Sequence, residues 1–231
     1  MTSLHQASQL GNLDLARFLV EHGANAEVQD QYGSTSLHQA SKLGDLDVAR
    51  FLVEHGANAE AQDHRGWTPI HQASQRGHLD LARFLVEHGA SAEAQDHSGS
   101  TPLHLASRSG HLDLARFLVE HGANKEAQDH RGWTPFYLAS LWGDLDLARF
   151  LVEHGANVEA QDQHGSTPLH QASRLGNLDV ARFLVEHGAD PAAQLQDGST
   201  PLHLASRRGD LDLARFLVEH GANAAAQDQG E

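Results

Sequence analysis

Between Leu112 and Val119, apolar side chains stand at 112, 114, 115, 117, 118 and 119, and the polar residues Asp113, Arg116 and Glu120 recur at spacings of three and four. That pattern predicts a helix apolar around most of its circumference, with one narrow polar stripe. Such a helix has to be buried on several sides. Asp113 in its first turn, His121 in its last and Gly122 beyond suit the helix dipole and a glycine stop. Upstream, Thr101 suits an N-cap and Pro102 the first helical position, where its missing N–H costs nothing; Gly110 then closes a shorter helix. The polar stretch 123–132 contains a D-x-x-G turn at Asp129 and reads as a loop or hairpin to the next unit.

The pattern repeats. The threonine that opens the shorter helix falls at Thr2, Thr35, Thr68, Thr101, Thr134, Thr167 and Thr200, always 33 residues apart. Seven such units fill all 231 positions without insertion or deletion, which predicts a single domain over 1–231 with no linker. One helix pair cannot bury the apolar second helix, whereas a neighbour on each side can, so the units must stack into a quasi-one-dimensional array. The second helix reads L-D-L-A-R-F-L-V-E-H-G-A five times and L-D-V-A-R-F-L-V-E-H-G-A twice. Recent duplication and deliberate consensus construction both produce such uniformity. Variation gathers instead in the turns and at three positions on the first helix.

The fourth unit, D-H-S-G-S-T-P-L-H-L-A-S-R-S-G-H-L-D-L-A-R-F-L-V-E-H-G-A-N, resembles the ankyrin repeat along its whole length. The T-P-L-H-x-A, G-H-L and G-A-N landmarks stand at family spacing, and the resemblance extends over all seven units. It implies an all-α fold, an ankyrin-repeat solenoid of stacked helix-turn-helix units with projecting β-turns, whose turns and first helices line a concave face. The family mostly binds proteins and brings no catalytic residues to this chain. Its T-P-L-H imidazole hydrogen-bonds within and between units, which would make His5, His38, His71, His104, His170 and His203 buried structural links. The hairpin asparagine that some members offer to asparaginyl hydroxylases is replaced here by Glu27, Glu60, Glu93, Glu126 or Glu159.

Composition narrows the function. A hydrophobic content of 39% suits a folded chain, and the absence of cysteine excludes disulfide and thiol chemistry. No apolar run approaches the roughly 18 residues that span a bilayer, and the chain opens directly into repeat sequence without a signal peptide. A cytoplasmic or nuclear location is therefore expected, with no membrane partner. The net charge of −15 argues against nucleic acid. That acidity belongs to the repeated frame, because the turn and first-helix sites carry Lys42, Arg65, Arg76, Arg108, Arg131, Arg174, Arg207 and Arg208 against Asp197.

Aromatic residues sharpen the expectation. Trp67 and Trp133 stand in twin H-R-G-W turns, and Trp142 is on the first helix of the fifth unit. Tryptophan and arginine are enriched in interface hot spots. The candidate partner-binding residues are Arg65, Trp67, Arg76, Arg108, Arg131, Trp133, Leu138, Leu141, Trp142, Arg174 and Leu175, with the three tryptophans expected at the surface. The competing reading has each tryptophan covering its own turn. Phe136 and Tyr137, where other units have leucine or isoleucine and histidine, read as a repacked core. The partner expected is a protein with an acidic surface and an apolar knob.

Catalytic and metal chemistry find little support. Of 19 histidines, six are in the T-P-L-H slot and seven (His22, His55, His88, His121, His154, His187, His220) precede the glycine stop. Equivalent histidines in adjacent units should lie about 10 Å apart, too far to share a zinc ion with ligands near 2 Å. The other six (His64, His78, His97, His111, His130, His164) are loop or cap residues. There is no G-x-S-x-G elbow and no phosphate-binding G-x-x-x-x-G-K-[ST] loop. Asp80, Arg83 and Glu87 read as a solvated salt-bridge stripe. The chain is therefore expected to be no enzyme and to need no cofactor or metal. Interior-type residues at both ends, Leu4, Leu13 and Phe18 against Leu211, Leu213 and Phe216, predict weak end-to-end self-association. Three readings remain: a protein-interaction scaffold, a partnerless structural or designed array, and the recognition segment of a larger protein.

Overall fold

The computed structural model describes residues 1–228; residues 229–231 of the expected 1–231 domain lie outside the described residues. The chain divides into two compact units, Met1–Asn124 and Lys125–Glu231. The first contains helices α1 (Ser3–Gln9), α2 (Leu13–Glu21), α3 (Ser36–Leu43), α4 (Leu46–Glu54), α5 (Pro69–Arg76), α6 (Leu79–Glu87), α7 (Pro102–Arg108) and α8 (Leu112–Glu120). The second contains α9 (Pro135–Trp142), α10 (Leu145–Glu153), α11 (Pro168–Leu175), α12 (Leu178–Glu186), α13 (Pro201–Arg208) and α14 (Leu211–Glu219). No strand occurs among the described residues, and the projecting segments are turns.

Local chemistry sets these boundaries. In the second helices, Asn12, Asp45, Asp144, Asn177 and Asp210 each accept from the backbone N–H three residues on. His78 and His111 make no such cap; their Nε2 atoms lie 3.3 and 3.2 Å from the Lys42 and Gln75 carbonyls, near the ends of α3 and α5. Glycines with positive φ, such as Gly44 at 85° and Gly143 at 77°, end the first helices where a side chain would be strained. The first turn of unit 1 closes by the Asp30 N–H donating to the Ser34 carbonyl at 2.9 Å, while Asp30 Oδ1 accepts from the Tyr32 and Ser34 N–H groups.

Packing within each unit follows the repeat. Leu81, Ala82, Phe84 and Leu85 of α6 are buried, as are their counterparts in α4, α8, α10 and α12. The T-P-L-H histidine links neighbours. The Thr35 N–H donates to His38 Nδ1 at 3.1 Å, so the ring proton sits on Nε2, which donates to the Trp67 carbonyl at 2.8 Å. His5 reaches the Ser34 carbonyl and His71 the Ser100 carbonyl in the same way. A second link comes from the hairpin glutamates: Glu27 Oε1 accepts from the Asn58 N–H at 2.8 Å, and Glu126 Oε1 from the Asn157 N–H at 3.1 Å.

Among the described residues, Asp80, Arg83 and Glu87 do not form the expected salt-bridge stripe. Arg83 lies over the Phe117 ring at 5.0 Å instead of pairing with Asp80 and Glu87, and Arg17, Arg50, Arg149 and Arg182 cover Phe51, Phe84, Phe183 and Phe216 likewise. The reason is energetic. Exposed ion pairs gain little in water, whereas a guanidinium over a ring keeps its hydration and covers apolar surface.

Candidate functional site

The turns and first helices present the variable residues, and each unit does so differently. In unit 1, Arg76 and Arg108 occupy the last turns of α5 and α7 and are exposed. Arg65 projects from its turn, 3.1 Å from Asp63 Oδ2, with its guanidinium 4.1 Å from the centre of the Trp67 ring. Trp67 itself is only 8% exposed. Its indole N–H donates to Asp96 Oδ2 at 3.0 Å, and its other face stacks on His71 with centroids 6.2 Å apart. The expectation of an exposed Trp67 is thus corrected: the ring is sandwiched between Arg65 and His71, and its one polar atom is satisfied by the next turn.

The same device recurs in unit 2 with a different base. Arg131 lies 4.8 Å from the Trp133 ring, and Trp133 stacks on Tyr137 at 5.7 Å with planes 14° apart. Tyr137 replaces the linking histidine and is fully buried with Phe136, as the repacked-core reading expects. Its hydroxyl donates to Asp162 Oδ2 at 3.0 Å, a phenol-to-carboxylate link where other units use imidazole and carbonyl. Burial holds the phenol well above its ordinary titration range. Trp133 remains half-buried.

Trp142 is different. It ends α9, is 64% exposed, and stands beside the half-buried Leu141. On the neighbouring helix α11, Leu175 holds the equivalent position at 46% exposed, next to the exposed Arg174, whose guanidinium donates to Gln171 Oε1. Leu138, in contrast, is 3% exposed. The expectation that it contacts a partner is corrected for this residue, whose side chain is buried in α9 with Phe136 and Tyr137.

Unit 1 also contains a groove the candidate list left out. It has a volume of about 470 Å³ and is lined by Tyr32, Gln39, Lys42, Arg65 and Gln72, among others. Tyr32 is exposed, and the variable glutamines lie at the position of Leu138 in their own units. The usable signal was that position's alternation between glutamine and leucine. Among the described residues no three histidine, aspartate or glutamate side chains lie close enough together to hold a metal ion, and no helix is long and apolar enough to cross a membrane.

Comparison with known proteins agrees with this architecture. A family model described as ankyrin repeats (3 copies) matches residues 1–63, 56–129, 124–195 and 164–228. The chain belongs to the ankyrin repeat family. Among solved structures, the crystal structure of the human ASB11 ankyrin repeat domain is similar at 28% sequence identity and a TM-score of 0.86, covering 97% of this chain and 100% of that one. Among curated proteins none matches. Ankyrin repeat domains are generally protein-interaction modules, and their fold is a known non-enzymatic scaffold. With 663 solved chains matching, the likeness identifies the fold and does not select a partner.

Proposed function

We propose that this ankyrin repeat chain is a non-enzymatic interaction scaffold that holds a protein partner against its turns and first helices. The observation that carries this reading is the exposed apolar pair Trp142 and Leu175 on adjacent helices of unit 2, flanked by Arg174. An exposed tryptophan loses water on binding and carries more contact area than any other side chain at low entropic cost. The partner face is apolar opposite Trp142 and acidic beside it, because Arg174 flanks the apolar pair on an otherwise acidic chain.

Substitution tests the assignment. With a purified partner, Trp142→Ala is expected to weaken binding about thirtyfold, since a central aromatic anchor commonly contributes about 2 kcal/mol or more. Leu175→Ala should weaken it less. Arg182 is unsuitable as the control because it covers Phe216; Glu186, exposed at the end of α12, is suitable. Glu186→Gln should leave affinity unchanged. Equal losses from all three substitutions, or none from Trp142→Ala, would show that binding lies elsewhere.

A further inference from the structure

Inside each compact unit one junction between second helices is used again and again. Arg17 of α2 lies over the Phe51 ring of α4, and Arg50 and Arg83 repeat the contact on Phe84 and Phe117. In unit 2, Arg182 of α12 lies 4.8 Å from the centre of the Phe216 ring of α14. Each time, the preceding helix brings an arginine to the phenylalanine of the next, and that ring is buried. Phe18 on α2 is the exception. It is 56% exposed where Phe51 is 4%, no arginine covers it among the described residues, and its ring lies 4.2 Å from His22 of its own helix. Leu15 beside it is exposed where Val48 and Leu81 are fully buried.

Helix α14 presents the opposite half of the junction. Arg215 is exposed and covers no ring among the described residues. Leu211 and Val218 are exposed, and Ala214 is half-buried where Ala181 is fully buried. Of the other end residues singled out in the sequence, Leu4, Leu213 and Phe216 are buried and Leu13 is half-buried, so the open faces are Leu15 with Phe18 and Leu211 with Val218. Helices α2 and α14 both read L-D-L-A-R-F-L-V-E, as do α6 and α8, which pack on each other in unit 1 through Arg83 and Phe117. The array thus specifies what fits the α2 face: a helix of this same sequence, arriving with its arginine. The hairpin link of other junctions is missing, since Ala225 stands where Glu27 and Glu126 accept an N–H from the next repeat. Packing does not require that link, because Ala192 stands in the same place at the α12–α14 junction. Its absence, and the lack of a connecting chain, make a contact between copies weaker than one within the array.

We propose that the α14 face of one copy stacks on the α2 face of a second copy, repeating the array's own junction with Arg215 over Phe18 and the exposed leucines and valine covered. The contact joins unlike faces, so each pair keeps one open face of either kind and adds further copies. It is separate from the surface around Trp142 and does not depend on it. Each copy carries a net charge of −15, so copies repel, and added salt strengthens this association by screening. The test is sedimentation equilibrium of the whole chain up to about 1 mM, where the average mass should rise with concentration and rise further with salt. Phe18→Lys and Leu211→Lys each put a cation on one face, and each alone should lower the association constant about tenfold or more. Both positions are exposed, so the urea midpoints should stay at the parent's. Phe18→Lys keeps the α14 face and Leu211→Lys keeps the α2 face, so their equimolar mixture should form one-to-one pairs with the parent's affinity and nothing larger. A parent chain that stays monomeric at about 1 mM, or a mixture that does not pair, would overturn the proposal. So would association that survives in Leu211→Lys alone, which would mean pairing of like faces, or association lost on Trp142→Ala and kept in both end variants.

Discussion

A serine recurs six residues after each threonine, and its hydroxyl decides a measurable share of stability. Ser8 Oγ donates to the Leu4 carbonyl at 2.9 Å, but Ser41, Ser74, Ser107, Ser140 and Ser173 bury theirs without a partner. Replacing Ser74 by alanine removes an unsatisfied group and substitutes a better helix former. Ser74→Ala should therefore raise unfolding free energy by about 1 kcal/mol, read as a higher urea midpoint with unchanged slope. A lower midpoint would mean the hydroxyl is bonded in solution. Sequence could not reveal this, because serine at a repeated position looks the same whether its hydroxyl is paired or not. Trp67 and Trp142 make the same point. Both are tryptophans at variable sites, yet one is held between Arg65 and His71 and the other faces solvent. The fates differ because the turn before α5 places the Trp67 ring against His71, whereas Trp142, at the last position of α9, stands in solvent.

At the scale of the element, the helix pair was legible to within a residue or two, because caps, glycine stops and a 33-residue period all agree. What escaped was the choice among partners for a given side chain, as when Arg83 takes Phe117 over Asp80. The histidine link has a consequence for pH. Burial lowers the pKa of His38, His71 and His170, against the opposing pull of the carbonyls they face. Protonation would also set a second donor on Nδ1 against the Thr35 or Thr68 N–H. His170 Nε2 is buried without a bond of good geometry, although the Ser199 and Ala193 carbonyls face it. Because the folded pKa lies below the unfolded value near 6.5, the unfolded chain binds more protons as pH falls. The stability these groups contribute is complete above about pH 6.5 and is lost as pH falls toward the lowered folded values, at up to about 1.4 kcal/mol per pH unit for each histidine. The urea midpoint should drop between about pH 7.5 and about pH 5.5, above the range where carboxylates titrate. An unchanged midpoint would contradict the neutral, buried assignment.

Over the whole molecule, the repeated frame carries the net acidity, while the variable turn and first-helix positions carry an excess of cations and all three tryptophans. That division was plain in the sequence, since uniform and variable positions separate within every 33-residue unit. The groove of unit 1 was not, because which side chains line it depends on how neighbouring repeats pack, a property of packing and not of pattern. Opposed surfaces of this kind predict salt-sensitive association: raising ionic strength should slow binding of an acidic partner much more than it speeds dissociation. A rate insensitive to salt would leave the cations without a role in recognition. The most direct test of the central claim is hydrogen–deuterium exchange on the free and partner-bound chain. The account predicts new protection in the turns and in the first helices, centred on Trp142 and Leu175. Protection confined to the second-helix surfaces that carry Asp80, Arg83 and Glu87 and their counterparts, with the first helices unchanged, would contradict it.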